Sequence, residues 1–209
     1  MNYKNIVIEG NIGAGKTTCA KSLASQLSAR LILEEFENNP FLPQFYSNKD
    51  RYAFQVELFF LAERYHQLSK NLLGDIFNEY TVYDYHFSKS AIFSKINLRE
   101  DEHLLFQNLF RIMDRFMPKP DILIYIHMSV NQILSQIKKR GRTFEELISS
   151  DYLQAVQTSY FSFFREETSF PIVVLELNQT ETNTPEKVLS YVNDVLSKKW
   201  PHGLSFNHY

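Results

Sequence analysis

The chain is poor in cysteine, glycine and tryptophan, and it lacks any apolar run long enough to cross a membrane. Its 209 residues include a single cysteine, Cys19, so an internal disulfide is excluded, which is typical of proteins in a reducing compartment. A membrane-spanning helix needs roughly 20 consecutive apolar residues, and no segment reaches that length. Residues 1–8 contain no apolar leader segment. We therefore expect a cytoplasmic protein with no membrane partner.

An excess of charge of one sign is also missing. The 22 Lys and Arg residues nearly balance the 24 Asp and Glu residues, which leaves a net charge of −2. Such a balance argues against a nucleic-acid partner, so any site for phosphate must be basic only locally. A length of 209 residues suits one α/β domain, and we expect a single domain over residues 1–209.

Aromatic residues, in contrast, are abundant. The chain has 18 Phe and 12 Tyr, and aromatic residues make up 15% of the sequence. They either fill a core between helices or line a pocket for a planar ligand. Composition alone leaves both interpretations open.

Three of the six glycines fall within one short motif, Gly10–Thr17. The motif follows the apolar run Ile6–Ile8 and precedes a helical pattern, as expected of a phosphate-binding loop of the Gly-x4-Gly-Lys-Thr type. Backbone N–H groups of such a loop and of the helix start attract an anion. Lys16 is expected to contact the β- and γ-phosphates of ATP, and the Thr17 hydroxyl is expected to bind Mg²⁺. The residues predicted to contact ATP here are Gly10, Asn11, Ile12, Gly13, Ala14, Gly15, Lys16, Thr17 and Thr18.

Strand and helix patterns alternate along the rest of the chain. The predicted strands are Asn5–Ile8, Leu31–Leu33, Thr81–Tyr83, Ile122–Ile126 and Ile172–Leu177. The longest helical pattern covers Tyr52–Leu73 and ends at Gly74. This alternation after a phosphate loop predicts an α/β fold, a doubly wound five-stranded parallel sheet flanked by helices. No strand pattern is recognisable in the tail, Trp200–Tyr209.

Acidic residues follow two of the predicted strands, and a basic cluster lies further on. Glu34 and Asp84 each come directly after a strand, where parallel sheets bind their ligands. The basic cluster Lys138–Arg142 follows a helical pattern, and Gly141 separates Arg140 from Arg142. A turn between two arginines is typical of a lid that closes over phosphates.

Phosphate loops occur in kinases, GTPases and ATPases, so other motifs must choose between these classes. A GTPase needs an Asn-Lys-x-Asp signature, and the nearest segment, Asn48–Arg51, has its Asp one position early. A motor or transport ATPase would have adjacent acids after the fourth strand, where this chain has His127 and Met128. The pattern therefore favours a small kinase with an arginine-rich lid, which positions and electrostatically stabilises the transferring phosphoryl group.

The chain also resembles the deoxynucleoside kinases of the bacterial deoxyadenosine, deoxyguanosine and deoxycytidine kinase group. The resemblance rests on five segments in the family order, from Asn5 to about Leu177. These segments are the phosphate loop Gly10–Thr18, Glu34–Leu42, Phe45–Tyr46, Phe54–Gln55 and Lys139–Arg142 followed by Glu145 and Tyr152–Leu153.

The resemblance implies a role for each matching residue. Glu34 corresponds to the carboxylate that contacts the 5′-hydroxyl as general base, and Asp84 corresponds to an acid near the 5′-hydroxyl and Mg²⁺ that is sometimes assigned that role. The matching substrate contacts are Gln55 for the nucleobase and both Tyr46 and Glu145 for the sugar 3′-hydroxyl. Arg140 and Arg142 correspond to lid arginines on the γ-phosphoryl group, and Gln179, Thr180 and Glu181 to the border of the ATP adenine.

One position departs from the family pattern. The family's third strand ends in an acid followed by Arg and Ser, whereas this chain has Asp84, Tyr85 and His86. A tyrosine lacks the five-donor fork of arginine, so contacts of Tyr85 with the substrate's 5′ end must differ. Relatives also carry a base-selecting acid where this chain has Ser88–Ser90.

We therefore expect ATP- and Mg²⁺-dependent phosphorylation of a deoxynucleoside 5′-hydroxyl, with a purine favoured. One alternative is a thymidylate-type kinase that acts on nucleoside monophosphates. The other is a regulatory module that binds nucleotide without phosphoryl transfer. The resemblance further implies a homodimer, with the aromatic helices at Tyr52–Leu73 and Asp101–Phe116 as candidate contact surfaces.

Overall fold

A computed structural model describes residues 2–70, 78–177 and 183–209, with the side chains of Thr143 and Phe144 excepted. Six strands form one parallel sheet in the order β2-β3-β1-β4-β5-β6. Their bounds are β1 Asn5–Gly10, β2 Arg30–Ile32, β3 Thr81–Tyr83, β4 Ile122–His127, β5 Pro171–Glu176 and β6 Gly203–His208.

Eight α-helices and one short 3₁₀ helix, Thr143–Leu147, lie in the described ranges. The α-helices are α1 Lys16–Leu27, α2 Leu42–Ser47, α3 Lys49–Ser69, α4 Lys89–Asn97, α5 Glu100–Asp114, α6 Val130–Arg140, α7 Ser150–Glu166 and α8 Pro185–Ser197. The predicted α/β class and parallel sheet are confirmed. The predicted helix end at Gly74 lies outside the described residues.

Alternating side chains of the central strands pack into two separate core layers. Ile6 and Ile8 of β1 belong to the layer that includes α1, α6 and α8. Val7, between them, belongs to the layer with α3, α5 and α7 on the opposite face. Because successive residues of a strand point to opposite faces, one strand contributes to both layers. The fully apolar strands thus reflect burial on both sides of the sheet.

The sheet has one strand more than predicted. The tail, which showed no usable pattern, forms β6, and this strand pairs in parallel with β5 from Gly203 to His208. β6 lies at the sheet edge, and its mixed sequence includes the half-exposed Phe206. An edge strand needs no continuous apolar run, since its free side faces solvent and its pairing depends on the neighbouring strand.

Among the described residues, none of the helices has the length and apolar character that a membrane span requires. The sheet order places β3 between β1 and β2. The segments that follow these three strands therefore meet at one edge of the sheet, which is where the site lies.

Candidate active site

The phosphate loop connects β1 to α1 through two glycines with positive φ. Gly13 has φ 81° and Gly15 has φ 82°, a conformation that other residues rarely adopt. A Cβ on Gly13 would also lie only 2.8 Å from Cγ1 of Ile137. Inside the loop, the backbone N–H of Ala14 donates to the Asn11 carbonyl oxygen at 3.1 Å. The loop is therefore a close-packed backbone turn that leads into the N-terminus of α1.

Lys16, the first residue of α1, turns back over the loop. Its Nζ donates to the Asn11 carbonyl oxygen at 2.9 Å. Burial and the neighbouring Lys89 lower the pKa of Lys16 to about 8. A phosphate group at the loop would counteract both effects, because a nearby anion favours the charged form of a lysine.

Hydrogen bonds join the ends of β2 and β3 to the start of α1. The Thr17 hydroxyl donates to Oδ2 of Asp84 at 2.6 Å. The backbone N–H of Glu34 donates to Oδ1 of the same carboxylate at 2.7 Å. Each oxygen of Asp84 thus binds a different element, and the two strand-end acids lie side by side.

Two cations hold the side chain of Glu34. Arg64 of α3 donates to Oε1, and Lys89 at the start of α4 donates to Oε2. Burial acts to raise the pKa of Glu34, but Lys89 and Arg64 outweigh it and hold that pKa at about 2. Glu34 is therefore ionised throughout the physiological pH range.

The basic segment after α6 contacts an acid of the 3₁₀ helix. Arg140 donates from Nε and Nη2 to Oε2 of Glu145, while Arg142 donates from Nη1 to Oε1 at 3.3 Å. The Arg142 guanidinium also lies over the Phe36 ring, 4.3 Å from its centroid. The two arginines line both of two adjoining openings, and Glu145 lines one of them.

The first opening, which we call the aromatic cavity, lies among α2, α3, α4 and α7. Its ring-bearing lining residues are Phe36, Phe45, Tyr46, Phe60, Phe93 and Tyr152. Its polar lining residues include Glu57, Asn97 and Glu145. Burial raises the pKa of Tyr46, so its hydroxyl stays protonated and can donate a hydrogen bond.

The second opening, which we call the phosphate-loop groove, runs past Gly13, Gly15 and Thr18 towards Lys21 and Lys139. The two openings meet. The polar residues that line both are Lys16, Thr17, Glu34, Asp84, Arg140 and Arg142. The structure thus brings together six of the predicted site residues at a junction between two compartments.

Two predicted substrate contacts do not lie in the site. Gln55 is exposed on α3 and lines neither opening; Glu57, two residues further on, faces the cavity instead. Tyr85 is fully buried in the core layer with α3, and its hydroxyl donates to Oε1 of Gln67. Both predicted contacts are therefore corrected. Gln179, Thr180 and Glu181 lie outside the described residues.

Four polar residues of the site were not predicted from the sequence: Glu57, Arg64, Lys89 and Asn97. Glu57 and Arg64 share the buried face of α3 with Leu61. The available signal was that charged residues recur on α3 at the helical positions of the buried apolar residues. Burial of a charge is unfavourable, so a charge at such a position indicates a function. Lys89 and Asn97, at the two ends of the short helix α4, gave no comparable signal.

The chain matches known proteins in family pattern, in sequence and in fold. The family model described as "Deoxynucleoside kinase" matches residues 6–197. The chain is 38% identical over 158 residues to a deoxyguanosine kinase of Bacillus subtilis (strain 168), covering 74% of this chain and 75% of that protein. It is 30% identical over 196 residues to a deoxyadenosine kinase of Dictyostelium discoideum, covering 90% and 77%.

A similar solved structure is the deoxyadenosine kinase from M. mycoides, described with the products dCMP and a flexible dCDP bound. Its TM-score is 0.78 at 25% sequence identity, and the match covers 92% of this chain and 99% of that one. A structure of the same kinase with bound dATP has the same fold, with a TM-score of 0.79 at 24% identity.

Proposed function

The chain belongs to the deoxynucleoside kinase family, and from that membership we propose how its site works. The protein is a kinase that phosphorylates deoxynucleosides. In our proposal it transfers the γ-phosphoryl group of ATP to the 5′-hydroxyl of a purine deoxynucleoside. The observation that carries the proposal is the junction at which the phosphate-loop groove meets the aromatic cavity.

ATP occupies the phosphate-loop groove in this proposal. Residues 10–18 hold its phosphates through backbone N–H groups, and Lys16 contacts the β- and γ-phosphates. The family resemblance assigns Gln179, Thr180 and Glu181 to the border of its adenine.

Thr17 and Asp84 would hold Mg²⁺. Their side-chain oxygens lie 2.6 Å apart beside Lys16, and Mg²⁺ in kinases is bound by one or two such oxygens together with substrate phosphates. When bound, the ion neutralises charge on the β- and γ-phosphate oxygens. The hydroxyl and carboxylate therefore fit the role assigned to them.

Glu34 accepts the proton of the 5′-hydroxyl in our assignment. Glu34 is ionised, borders both compartments and is oriented by Arg64 and Lys89. Asp84 is the other candidate for the base: its two oxygens accept hydrogen bonds from Thr17 and from the Glu34 amide, as those of Glu34 accept from Arg64 and Lys89. The geometry of the accepting carboxylate matters here together with its pKa.

The remaining polar residues bind the transferring group and the sugar. Arg140 and Arg142 stabilise the charge on the γ-phosphoryl oxygens, as positioned guanidinium groups do in phosphoryl transfer. Tyr46 and Glu145, which line the aromatic cavity, are assigned to the sugar 3′-hydroxyl.

We further propose a cytoplasmic homodimer. Support for the location is the single cysteine, and support for the dimer is a set of exposed large apolar side chains on and just after α5. These side chains are Leu104, Leu105, Ile112 and Phe116.

The deciding experiment measures ADP release by the purified protein with Mg-ATP and each of the four natural deoxynucleosides. We expect nucleoside-dependent ADP release and formation of a 5′-monophosphate, both lost in Lys16→Ala. Preference for a deoxynucleoside 5′-monophosphate as acceptor would instead indicate a nucleoside monophosphate kinase. Nucleotide binding without transfer to any acceptor would indicate a regulatory module.

A further inference from the structure

Glu57 is a carboxylate buried inside the aromatic cavity. Only 2% of its surface is exposed, and it lies on the inner face of α3. Nδ2 of Asn97, at the end of α4, donates to its Oε1 at 2.6 Å. Its Oε2 is buried and has no hydrogen-bond partner among the residues that the structure describes. One carboxylate oxygen thus remains available to a molecule in the cavity.

The nearby cations are committed to other groups. Arg64 donates to Glu34 from Nε and Nη2 and to the Ser90 hydroxyl from Nη1. Lys89 also binds Glu34, and Nζ of Lys49 donates to the Ile96 carbonyl oxygen at 3.3 Å. Among the residues that the structure describes, no ion pair explains the burial of Glu57.

A buried carboxylate with an unused oxygen is unfavourable for folding, because desolvation of the charge is not compensated. A buried polar group without a partner calls for an explanation, and a ligand that supplies the missing donors provides one. Six aromatic residues line the same cavity, so the cavity suits a flat ring.

The position of Glu57 suits the base end of a nucleoside. Glu57 and Arg64 are seven residues apart on one face of α3, or about 10 Å along the helix at 1.5 Å per residue. Arg64 holds Glu34, the proposed base for the 5′-hydroxyl. A separation of this size is comparable with the length of a nucleoside from its 5′-oxygen to the far edge of its base.

We propose that Glu57 recognises guanine, and that the substrate is deoxyguanosine. Guanine alone among the four bases presents two adjacent donors on its Watson–Crick edge, N1–H and the 2-amino group. An ionised carboxylate accepts hydrogen bonds at both oxygens and donates none, and Oε1 has a second lone pair beside the one that Asn97 uses. This inference rests on the proposed kinase activity and names the base within it.

The same carboxylate disfavours the other bases. Adenine and cytosine place a ring nitrogen acceptor beside their amino group, which would face a carboxylate oxygen across the cavity. Thymine offers one N–H between two carbonyl oxygens. A base that leaves buried polar atoms unpaired, or that brings two acceptors together, binds much more weakly than guanine. The site therefore discriminates strongly against these three bases.

The test is a competition assay with all four deoxynucleosides in one reaction, on the wild type, Glu57→Gln and Gln55→Glu. We expect deoxyguanosine to be preferred by the wild type. In Glu57→Gln, kcat/KM for deoxyguanosine should fall roughly 10- to 100-fold, as for the loss of a charge-assisted hydrogen bond. The same variant should gain relative activity on deoxyadenosine, because an amide offers one donor and one acceptor. Gln55→Glu, on the exposed face, should keep the wild-type base ratio.

Substrate analogues test the proposal on the unmodified protein, whatever the folding of the variants. Deoxyinosine keeps N1–H but lacks the 2-amino group, and 1-methyldeoxyguanosine lacks N1–H. Both should be phosphorylated at least tenfold less efficiently than deoxyguanosine, as expected when one hydrogen bond to a charged group is lost.

Wild-type preference for deoxyadenosine or deoxycytidine, or an unchanged base ratio in Glu57→Gln, would overturn the assignment of Glu57 while leaving the kinase intact. Equal use of deoxyinosine and deoxyguanosine would overturn the two-donor contact. If no deoxynucleoside were phosphorylated, the proposed function itself would fail, and the two failures are thus distinguishable.

Discussion

Arg64 donates two hydrogen bonds to one oxygen of Glu34, from Nε at 2.9 Å and from Nη2 at 2.6 Å. Lys89 binds the other oxygen. Tyr85, directly after Asp84, stands where the family pattern has an arginine. The chain thus brings positive charge to Glu34 from α3 and α4 rather than from the end of β3.

Glu34→Gln should lower kcat by about 10²–10⁴-fold, the range typical of a lost general acid or base. Binding of ATP should be nearly unchanged, because the phosphate loop keeps its residues. Steady-state kinetics and an ATP titration of the purified variant check both expectations. Glu79→Gln is the matched control, since Glu79 is an exposed carboxylate just before β3, at the opposite edge of the sheet. Full activity in Glu34→Gln would transfer the role of base to Asp84.

Arg64→Met should destabilise the fold by about 3 kcal/mol, because loss of one partner leaves a buried charge poorly compensated. Arg64 and Glu34 are 4% and 13% exposed at their side chains, so solvent screening of the pair is weak. Urea unfolding of the variant beside Arg111→Met, an exposed arginine of α5, measures the difference. A loss of stability equal to that of the control would contradict the structural importance of the pair.

Tyr85→Phe should reduce stability while sparing catalysis. The substitution removes the buried hydrogen bond from the Tyr85 hydroxyl to Gln67 and keeps the ring, a change of about 1 kcal/mol. Since Tyr85 lines neither opening, KM for the deoxynucleoside should stay within about twofold of the wild type, as for a residue without substrate contact. A large rise in KM with unchanged stability would return Tyr85 to the substrate site.

Site residues that directly follow a strand were predictable from the sequence. Site residues on a helix were not, because their place in the site depends on which side of the helix faces it. The phosphate loop, Glu34 and Asp84 follow directly from strands that the apolar pattern identifies, and they lie together because parallel strands end at one edge. On a helix, in contrast, side chains two positions apart point in directions that differ by about 200°, because each turn has 3.6 residues. The predicted contact at Gln55 therefore points away from the cavity that Glu57 faces.

Contacts between distant segments could not be read from the sequence either. Lys89 binds Glu34 across 55 positions of the chain, and β6 pairs along its whole length with β5. Neither depends on a local pattern. The order of the strands and the packing of α4 beside α3 determine these contacts, and a single sequence does not specify that packing.

Arg142→Met should lower kcat on the order of 10²–10³-fold, because it removes a donor that stabilises charge in the transition state. The change also removes the contacts of Arg142 with Glu145 and with the Phe36 ring. Lys138→Met is the matched control: Lys138 is an exposed cation of the same basic segment and lines neither opening. Stopped assays with saturating ATP compare the two. Equal kcat values would exclude Arg142 from phosphoryl transfer.

The base preference should depend on pH through Glu57. Burial raises the pKa of Glu57 to about 7, although the Asn97 hydrogen bond and the charges of Arg64 and Lys49 act to lower it. The titratable or charged groups that face it are Lys49 and Arg64 on α3, Glu34 after β2, Tyr46 on α2 and Tyr152 on α7. The pKa of Glu34 is held at about 2 and burial raises the pKa of both tyrosines, so these three groups do not titrate between pH 5.5 and 8.

The ratio of kcat/KM for deoxyguanosine to that for deoxyadenosine should therefore rise with pH. Below about pH 7, Glu57 is mainly protonated, and its O–H donor would face the N1–H donor of guanine. Above that pH, both carboxylate oxygens of Glu57 accept hydrogen bonds. The ratio should increase by up to about tenfold per pH unit below the pKa and become constant above it. Competition between the two nucleosides in one reaction cancels ionisations that affect both equally, Lys16 included. Glu57→Gln should give a ratio that is flat from pH 5.5 to 8, and a wild-type ratio equally flat would contradict titration of Glu57 in the base site.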